Sequence, residues 1–522
     1  MNATGRPQAP QRRGGGVIPP GHGGEARIVV VGNGMAGSRF VTELRSRDPR
    51  VPVTVFGAEP QRPYNRVMLS DVLAGTARPD HIGLVDAAWY ASHGVDARLG
   101  VEVTRIDRAA KTVHASDGTV TRYGTLVLAT GSTAFVPPIP GLRDGPPEGA
   151  LAFRTLEDCR RISALAESAR RAVVVGGGLL GVEAARGLAG RGLEVTVLHL
   201  AGHLMERQLD AAAGGVLART LARLGISVRL HAQVTALRTA AGAVTGVELA
   251  APGGGTEVVG ADLVVLSCGV RPEVTLARDA GLTVARGVIV DDELRSVADP
   301  SVRAIGECSE HRDEVYGLVA PAWEQAGVLA GLLAGTEPAA RFTGARQITR
   351  LKADGIELAS MGETHHGDDD EDVEVVRFTD AARGTYKKAV IRGGRLIGAI
   401  LLGETSAAGT LTRLYDRAAP LPAERLDLLF PGLGGAAEAA SPVRMPDAAT
   451  VCQCNNVAKR DIRACWEAGA RTAGDVARAT RAGTGCGGCR DAVEGIVAWL
   501  GEQDSESVAG SAGWWAAPHG RC

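Results

Sequence analysis

The 522-residue chain lacks the features that would tie it to a membrane or to nucleic acid. No run of about 18 apolar residues occurs, so no membrane span is expected. Residues 1–26 hold no apolar signal core. They are rich in Gly, Pro, Arg and Gln, and read as a disordered tail. Net charge is −2, which gives no case for nucleic acid or an anionic lipid surface. A disulfide framework is also absent from the pattern. The 9 cysteines are an odd number, and Cys159, Cys268, Cys308, Cys465 and Cys522 stand singly. That fits reduced thiols in a cytoplasmic protein. The rest is ordinary for a globular chain, 45% hydrophobic and 22% charged, and the length suggests three or more domains.

The remaining cysteines come in two close pairs, Cys452-Gln-Cys454 and Cys486-Gly-Gly-Cys489. Each pair can deliver two thiolates to one soft metal centre. The glycines around Cys486 and Cys489 let backbone N–H groups turn toward the sulfurs. Spacing alone leaves a structural zinc site open beside an iron–sulfur cluster. The rest of the chain favours the cluster. Cys465, on a helix expected to start at an Asn456 cap and end near Ala468, reads as core rather than as a fifth ligand.

Ordered structure is expected from Arg27. The apolar run Ile28–Val31 reads as a buried parallel strand. Gly32-Asn-Gly-Met-Ala-Gly37 follows, then a helix, then a strand at Val53–Phe56 closed by Glu59. This strand–glycine turn–helix–strand–acid order is a dinucleotide-binding unit. The glycines permit close approach to a pyrophosphate, and Glu59 can accept ribose hydroxyls. The unit recurs: a strand at Ala172–Val175, the turn Gly176-Gly-Gly-Leu-Leu-Gly181, a helix, and a strand at Glu194–Leu198. The second copy ends in His199-Leu200 where an acid is expected. His199 can bond a ribose hydroxyl, favour a 2′-phosphate if protonated, or be a solvated loop residue, so NADH and NADPH both stay open.

From these motifs, with Ala129-Thr-Gly131, Gly269-Val-Arg-Pro272 and Gly306-Glu307 in order, residues 27–335 resemble flavoprotein reductases with two dinucleotide-binding domains. Residues 451–500 resemble the bacterioferritin-associated-ferredoxin-like 2Fe-2S domain. Tyr64–Ser70, Gly306–His311 and Tyr316–Gln325 are similar to the flavoprotein half of the assimilatory NAD(P)H-nitrite reductase large subunit. They are equally similar to the electron-transfer subunit of assimilatory nitrate reductase.

The resemblance implies an α/β fold: two Rossmann-like domains, for FAD and NAD(P)H, an α+β interface domain and a small helical 2Fe-2S domain. Residues 27–150 with 262–335 would form the FAD domain and 151–261 the NAD(P)H domain. Residues 340–415 would form the interface domain, 416–450 a linker, 451–500 the cluster domain and 501–522 a loose tail. Strands are expected in 348–361 and 386–402, and the acidic run Asp368–Asp372 reads as a solvated tip.

By the same resemblance, Gly32, Gly34, Met35, Ala36, Gly37, Glu59, Arg66, Ser70, Val103, Thr130, Gly131 and Glu307 would hold FAD. Arg66 and Ser70 have an ordinary-loop alternative. Gly176, Gly178, Leu179, Leu180, Gly181, Glu183 and Gly269 would hold the nicotinamide nucleotide. Glu183 has the alternative of a helix-surface or N-terminal carboxylate. Cys452, Cys454, Cys486 and Cys489 would hold the cluster. No acid–base catalytic residue is expected.

Two departures qualify the resemblance. The closing motif carries Glu307 where the family uses Asp. The chain also has no sirohaem-type cysteine cluster, so nitrite reduction by that route is not expected. A disulfide-reductase reading fails because the first domain has no C-x-x-x-x-C. The expected function is electron transfer from NAD(P)H to a separate molybdenum-containing nitrate reductase subunit. The alternatives are a nitrite reductase module, a rubredoxin or a ferredoxin as acceptor, or a redox- or iron-sensing docking protein.

Overall fold

The computed structural model describes residues 27–511 apart from 87, 143–144, 252, 432–444, 453–454, 456 and 484–488. β1 (Ile28–Val31) is buried along its whole length between two parallel neighbours, which is why it reads as an unbroken apolar run. α1 (Met35–Arg47) and β2 (Val53–Gly57) follow. β3 (Val95–Leu99) extends the sheet beyond β2, and β4 (Thr125–Leu128) lies on the other side of β1.

The second glycine turn sits in a sheet of its own. β5 (Ala150–Ala152), β6 (Arg171–Val175), α2 (Leu179–Gly190), β7 (Glu194–Leu198), α3 (Ala211–Arg223), β8 (Ile226–Arg229) and β9 (Leu263–Leu266) build it. Its strands run parallel in the order β8-β7-β6-β9-β5. The chain then rejoins the first sheet through β10 (Asp299–Ala304), parallel to β4. Short strands at Val288–Val290, Arg295–Ser296 and Ser309–His311 complete eight strands there. α4 (Val319–Leu333) packs on α1, where Phe40, Val41 and Leu44 share a core with Ala326, Leu329 and Ala330.

One expected boundary is wrong. The sequence reading returns the chain to the first domain at residue 262, but β9 pairs with β6 in the second sheet. The return follows Leu266, where Ser132–Ala134 pairs with Val270–Pro272 between the two sheets. A central parallel strand is apolar on both faces, so its pattern does not reveal which sheet owns it.

Five antiparallel strands form the third sheet: β11 (Ile348–Ala353), β12 (Ile356–Gly362), β13 (Glu374–Asp380), β14 (Thr385–Arg392) and β15 (Arg395–Leu402). The expected strands in 348–361 and 386–402 are these. Asp368–Asp372 is an exposed connection from β12 to β13, with Asp368 paired to Arg377 and Asp370 3.1 Å from His366. α5 (Ala408–Arg417) and α6 (Leu426–Leu429) close this domain. The expected linker from 416 is therefore too long. Leu428 and Leu429 are buried in the same core as Ala399 and Leu411, because a Leu-rich turn gains more from burial than from serving as a spacer.

The cluster domain contains α7 (Lys459–Glu467), α8 (Ala473–Thr480) and α9 (Arg490–Ser511). Asn456 lies outside the described residues. The N-cap of α7 is Ala458, whose N–H donates to the Asp461 carboxylate at 2.7 Å. The expected loose tail from 501 is also corrected, since α9 continues to Ser511. Asp504 accepts the Trp466 indole N–H at 2.8 Å, which anchors that extra length. Among the described residues, no helix is long and apolar enough to cross a membrane.

Candidate functional site

The two glycine turns divide their work in the same way. A Cβ on Gly32 would collide with the Ala129 carbonyl, and one on Gly37 with the Gly32 carbonyl. Gly176 and Gly181 are constrained in the same manner by the carbonyls of Ser267 and Gly176. Around the middle residues, Gly34 and Gly178, nothing lies within 4 Å. The outer glycines close each turn, and the middle one leaves an open face at a helix N-terminus. That is the cradle a pyrophosphate needs. Met35 and Ala36 open α1, and Leu179 and Leu180 open α2.

A cleft beside the first turn is lined by Asn33, Gly34, Glu59, Arg62, Tyr64 and Arg66. Glu59 pairs with Arg66 there, and the Tyr64 hydroxyl donates to Glu59 at 2.7 Å. Burial, outweighing the nearby Arg66 charge, pushes the Tyr64 phenol up from its ordinary pKa, so it stays a donor. Gly306 comes close enough to this turn that its Cβ would stand 2.9 Å from that of Ala36. Glu307 beside it pairs with Arg154 and accepts the Ser132 hydroxyl at 2.7 Å. Thr130 Oγ1 donates to the Glu273 carbonyl at 2.7 Å, next to Gly131.

Among the described residues, the buried polar atoms here with no protein partner include Ser70 Oγ, Asn33 Nδ2 and Trp323 Nε1. Unpaired buried donors are costly, and a polar ligand would satisfy them. The open Gly34, the Glu59 carboxylate and these orphaned groups fit a flavin dinucleotide. Val103 stands apart, in a small three-stranded sheet opposite Ala115, with its side chain in the core.

At the second turn Glu183 is buried on α2, not on the helix surface. Gly269 follows β9 with open space around it. His199 is no solvated loop residue: its side chain is 8% exposed. Its Nδ1 accepts the Gly177 N–H at 3.0 Å, and its Nε2 lies 3.0 Å from Glu206. A Cβ on Gly177 would press into the His199 ring, so ring and turn are packed as one unit. Cys268 is half-buried beside Gly269, and desolvation pushes its thiol up to about 11.

Of the four cluster cysteines, Cys454 and Cys486 lie outside the described residues. Cys452 and Cys489 are both buried in one apolar cluster with Ile462, Val476 and Val493. Each sulfur faces a donor: Asn455 Nδ2 stands 3.7 Å from Cys452 Sγ, and the Gly483 N–H 3.1 Å from Cys489 Sγ. Donors aimed at buried sulfurs suit thiolates bound to a cluster. Cys465 packs against the same core, as expected. Asn455 Nδ2 also donates to the Arg481 carbonyl at 2.5 Å, and the Arg481 guanidinium donates to the Gly83 carbonyl in the first domain.

Sequence reading passed over Asn33, Tyr64, Arg154 and Glu206. Tyr64 lay within a quoted motif. Arg154 had no signal, because its partner Glu307 is distant along the chain.

Residues 26–326 match the pyridine nucleotide-disulphide oxidoreductase family. Residues 348–418 match the rubredoxin NAD+ reductase C-terminal domain, and 450–499 the BFD-like [2Fe-2S] binding domain. The chain is 38% identical over 477 residues to a nitrite reductase [NAD(P)H] of Bacillus subtilis (strain 168), covering 91% of this chain and 58% of that protein. It is 34% identical over 478 residues to the assimilatory nitrate reductase electron transfer subunit of the same organism, covering 91% and 60%. It thus spans under two thirds of the length of these curated relatives. Among solved structures, putidaredoxin reductase in its covalent complex with putidaredoxin superposes with a TM-score of 0.67 at 25% identity, covering 75% of this chain and 93% of that one. The matched domains carry FAD, a nicotinamide nucleotide and a [2Fe-2S] cluster, which the glycine cradles and buried sulfurs fit. Two open glycine cradles on two sheets with parallel centres, continued by an antiparallel domain and a cysteine domain, accord with the matched domains, and this chain belongs to the pyridine nucleotide-disulphide oxidoreductase family.

Proposed function

We propose that the chain takes electrons from NAD(P)H in the cytoplasm and passes them to a separate protein, the molybdenum-containing catalytic subunit of an assimilatory nitrate reductase. Bound flavin supplies conversion of a two-electron hydride into single electrons, and the cluster supplies one-electron carriage. Gly32, Gly34, Met35, Ala36 and Gly37 offer backbone N–H groups and a helix N-terminus to the flavin pyrophosphate. Glu59 accepts ribose hydroxyls, exchanging its bond from Tyr64 for them. Arg66, Ser70, Thr130, Gly131 and Glu307 are proposed to contact the same flavin, while Val103, proposed as a flavin residue by resemblance, stands apart in its own small sheet. Gly176, Gly178, Leu179, Leu180 and Gly181 hold the nicotinamide nucleotide, with Glu183 and Gly269 at its edge. Cys452, Cys454, Cys486 and Cys489 hold the cluster.

The carrying observation is the contact between Arg481 and the Gly83 carbonyl. Gly83 bridges to Tyr64, and Asn65 N–H donates to the Ile82 carbonyl at 2.8 Å. Arg481, just past the end of α8, therefore rests on the segment that lines the Glu59 cleft, which supports electron flow within one chain. A second reading, a nitrite reductase module as acceptor, is supported by the 38% identical relative. A rubredoxin acceptor is supported by the match at residues 348–418.

The test is the anaerobic absorbance spectrum before and after one equivalent of NADH, followed by each acceptor in turn. Bleaching of both flavin and iron–sulfur bands is expected, with reoxidation by a nitrate reductase catalytic subunit. Bleached bands that only nitrite reductase or rubredoxin reoxidises would reject the acceptor. Flavin bands with bound zinc would reject the cluster.

A further inference from the structure

The acid that the second dinucleotide unit lacks at the end of β7 is supplied from further along the chain. We infer that Glu206, aimed by His199, is the carboxylate that makes the nucleotide site select NADH over NADPH. The inference rests on the proposed NAD(P)H reading of that site and deepens it.

In a dinucleotide unit the adenosine ribose lies off the end of the second strand, and a carboxylate there accepts its hydroxyls. Here that position is His199, directly after β7. Its Nδ1 accepts the Gly177 N–H, so Nδ1 carries no proton and the ring proton sits on Nε2. The ring is therefore neutral and offers no cation to a 2′-phosphate. Its Nε2–H donates to Glu206 Oε2 at 3.0 Å. That bond holds the carboxylate at the strand end, within one ring's width of the glycine turn.

The His199 side chain is 8% exposed and that of Glu206 42%, so the imidazole is a buried support and the carboxylate faces solvent. Leu200, 69% exposed at the same strand end, leaves an apolar surface for an adenine face. Of the neighbouring cations, Arg229 on β8 is paired with Glu257, and Arg207 is exposed in the same loop as Glu206. A carboxylate beside a 2′-hydroxyl accepts its proton in a hydrogen bond. Beside a 2′-phosphate it meets a like charge.

The experiment is calorimetric binding of NAD+ and NADP+ to the purified full-length protein, as it stands and as Glu206→Gln and Arg207→Gln. Flavin content and flavin reduction are measured on the same samples. The unaltered chain is expected to bind NAD+ at least tenfold tighter than NADP+. Glu206→Gln is expected to cut that ratio about tenfold, mainly through tighter NADP+ binding, and Arg207→Gln to leave the ratio or widen it. Equal binding of both nucleotides by the unaltered chain would overturn the inference. So would a ratio indifferent to Glu206→Gln, or one that shifts only with Arg207→Gln. If neither nucleotide binds or reduces the flavin, the reductase reading fails instead. Reduction by both nucleotides with no carboxylate dependence removes this inference alone.

Discussion

Gly178→Ala separates the binding role of a glycine turn from its structural role. Gly178 has φ −76° and ψ −177°, an extended conformation that alanine adopts freely, and its Cβ would meet nothing within 4 Å. Replacing glycine where the backbone allows it stabilises by about 0.4–1 kcal/mol through the unfolded chain. Alanine is a poorer N-cap than glycine by a comparable amount, roughly 0.5–1 kcal/mol. The two effects oppose each other, so stability should change by less than about 1 kcal/mol.

The new methyl group, however, projects into the open face where the nucleotide pyrophosphate approaches. NADH affinity should fall at least tenfold, which corresponds to about 1.4 kcal/mol. Gly181→Ala is the control, because its Cβ falls on the Gly176 carbonyl and the turn has to open. It should cost about 3 kcal/mol and lower the yield of folded protein. The assay pairs urea denaturation with anaerobic NADH titration of the flavin band. Unchanged NADH affinity in Gly178→Ala would refute the assignment of this turn, as would a stability loss above about 2 kcal/mol.

Three further outcomes follow from other contacts. Lys388, with its side chain 2% exposed, pairs with Asp210 at 2.7 Å across the interface to the second domain, and Tyr386 donates to the same carboxylate. Lys388→Met should destabilise by about 3 kcal/mol, the low end for breaking a buried pair, because Asp210 keeps Tyr386 and the Ala213 N–H. Burial opposes ionisation of Asp210, yet Lys388 and its other donors hold the carboxyl below its ordinary value. Its stabilisation is therefore present above about pH 4 and lost as pH falls further, and denaturation curves of Lys388→Met should be flatter in that window. Cys489→Ser should lose iron and the broad visible absorbance while NADH still bleaches the flavin, and full retention of iron would exclude that ligand. Arg481→Ala should slow cluster reduction at least threefold in stopped flow with flavin reduction unaltered. An equal rate would show that this contact does not hold the cluster loop to the first domain.

Local pattern was enough to reveal both dinucleotide units, because each is a contiguous run whose glycines, strand and helix are specified by neighbours in sequence. The same holds for the two cysteine pairs and the alternating strands of the third domain. Contiguity also explains the misreadings. Leu263–Leu266 carries no mark of which parallel sheet it joins, and Leu426–Leu429 looks like part of a Pro- and Ala-rich spacer until Leu428 and Leu429 meet the third core.

The pairings that shape the site are long-range. Arg154 meets Glu307, Lys388 meets Asp210, Arg481 meets the Gly83 carbonyl, and His199 reaches Gly177 on one side and Glu206 on the other. A sequence names the groups able to form such contacts. Only packing decides which of them lose water together, and it places His199 as a buried side chain between the Gly177 N–H and the Glu206 carboxylate. The amino-acid order by itself thus determined that two glycine-turn dinucleotide units and two close cysteine pairs belong to this chain. The tertiary structure decided that Arg481 meets the segment beside the Glu59 cleft and that His199 ties Glu206 to the second glycine turn.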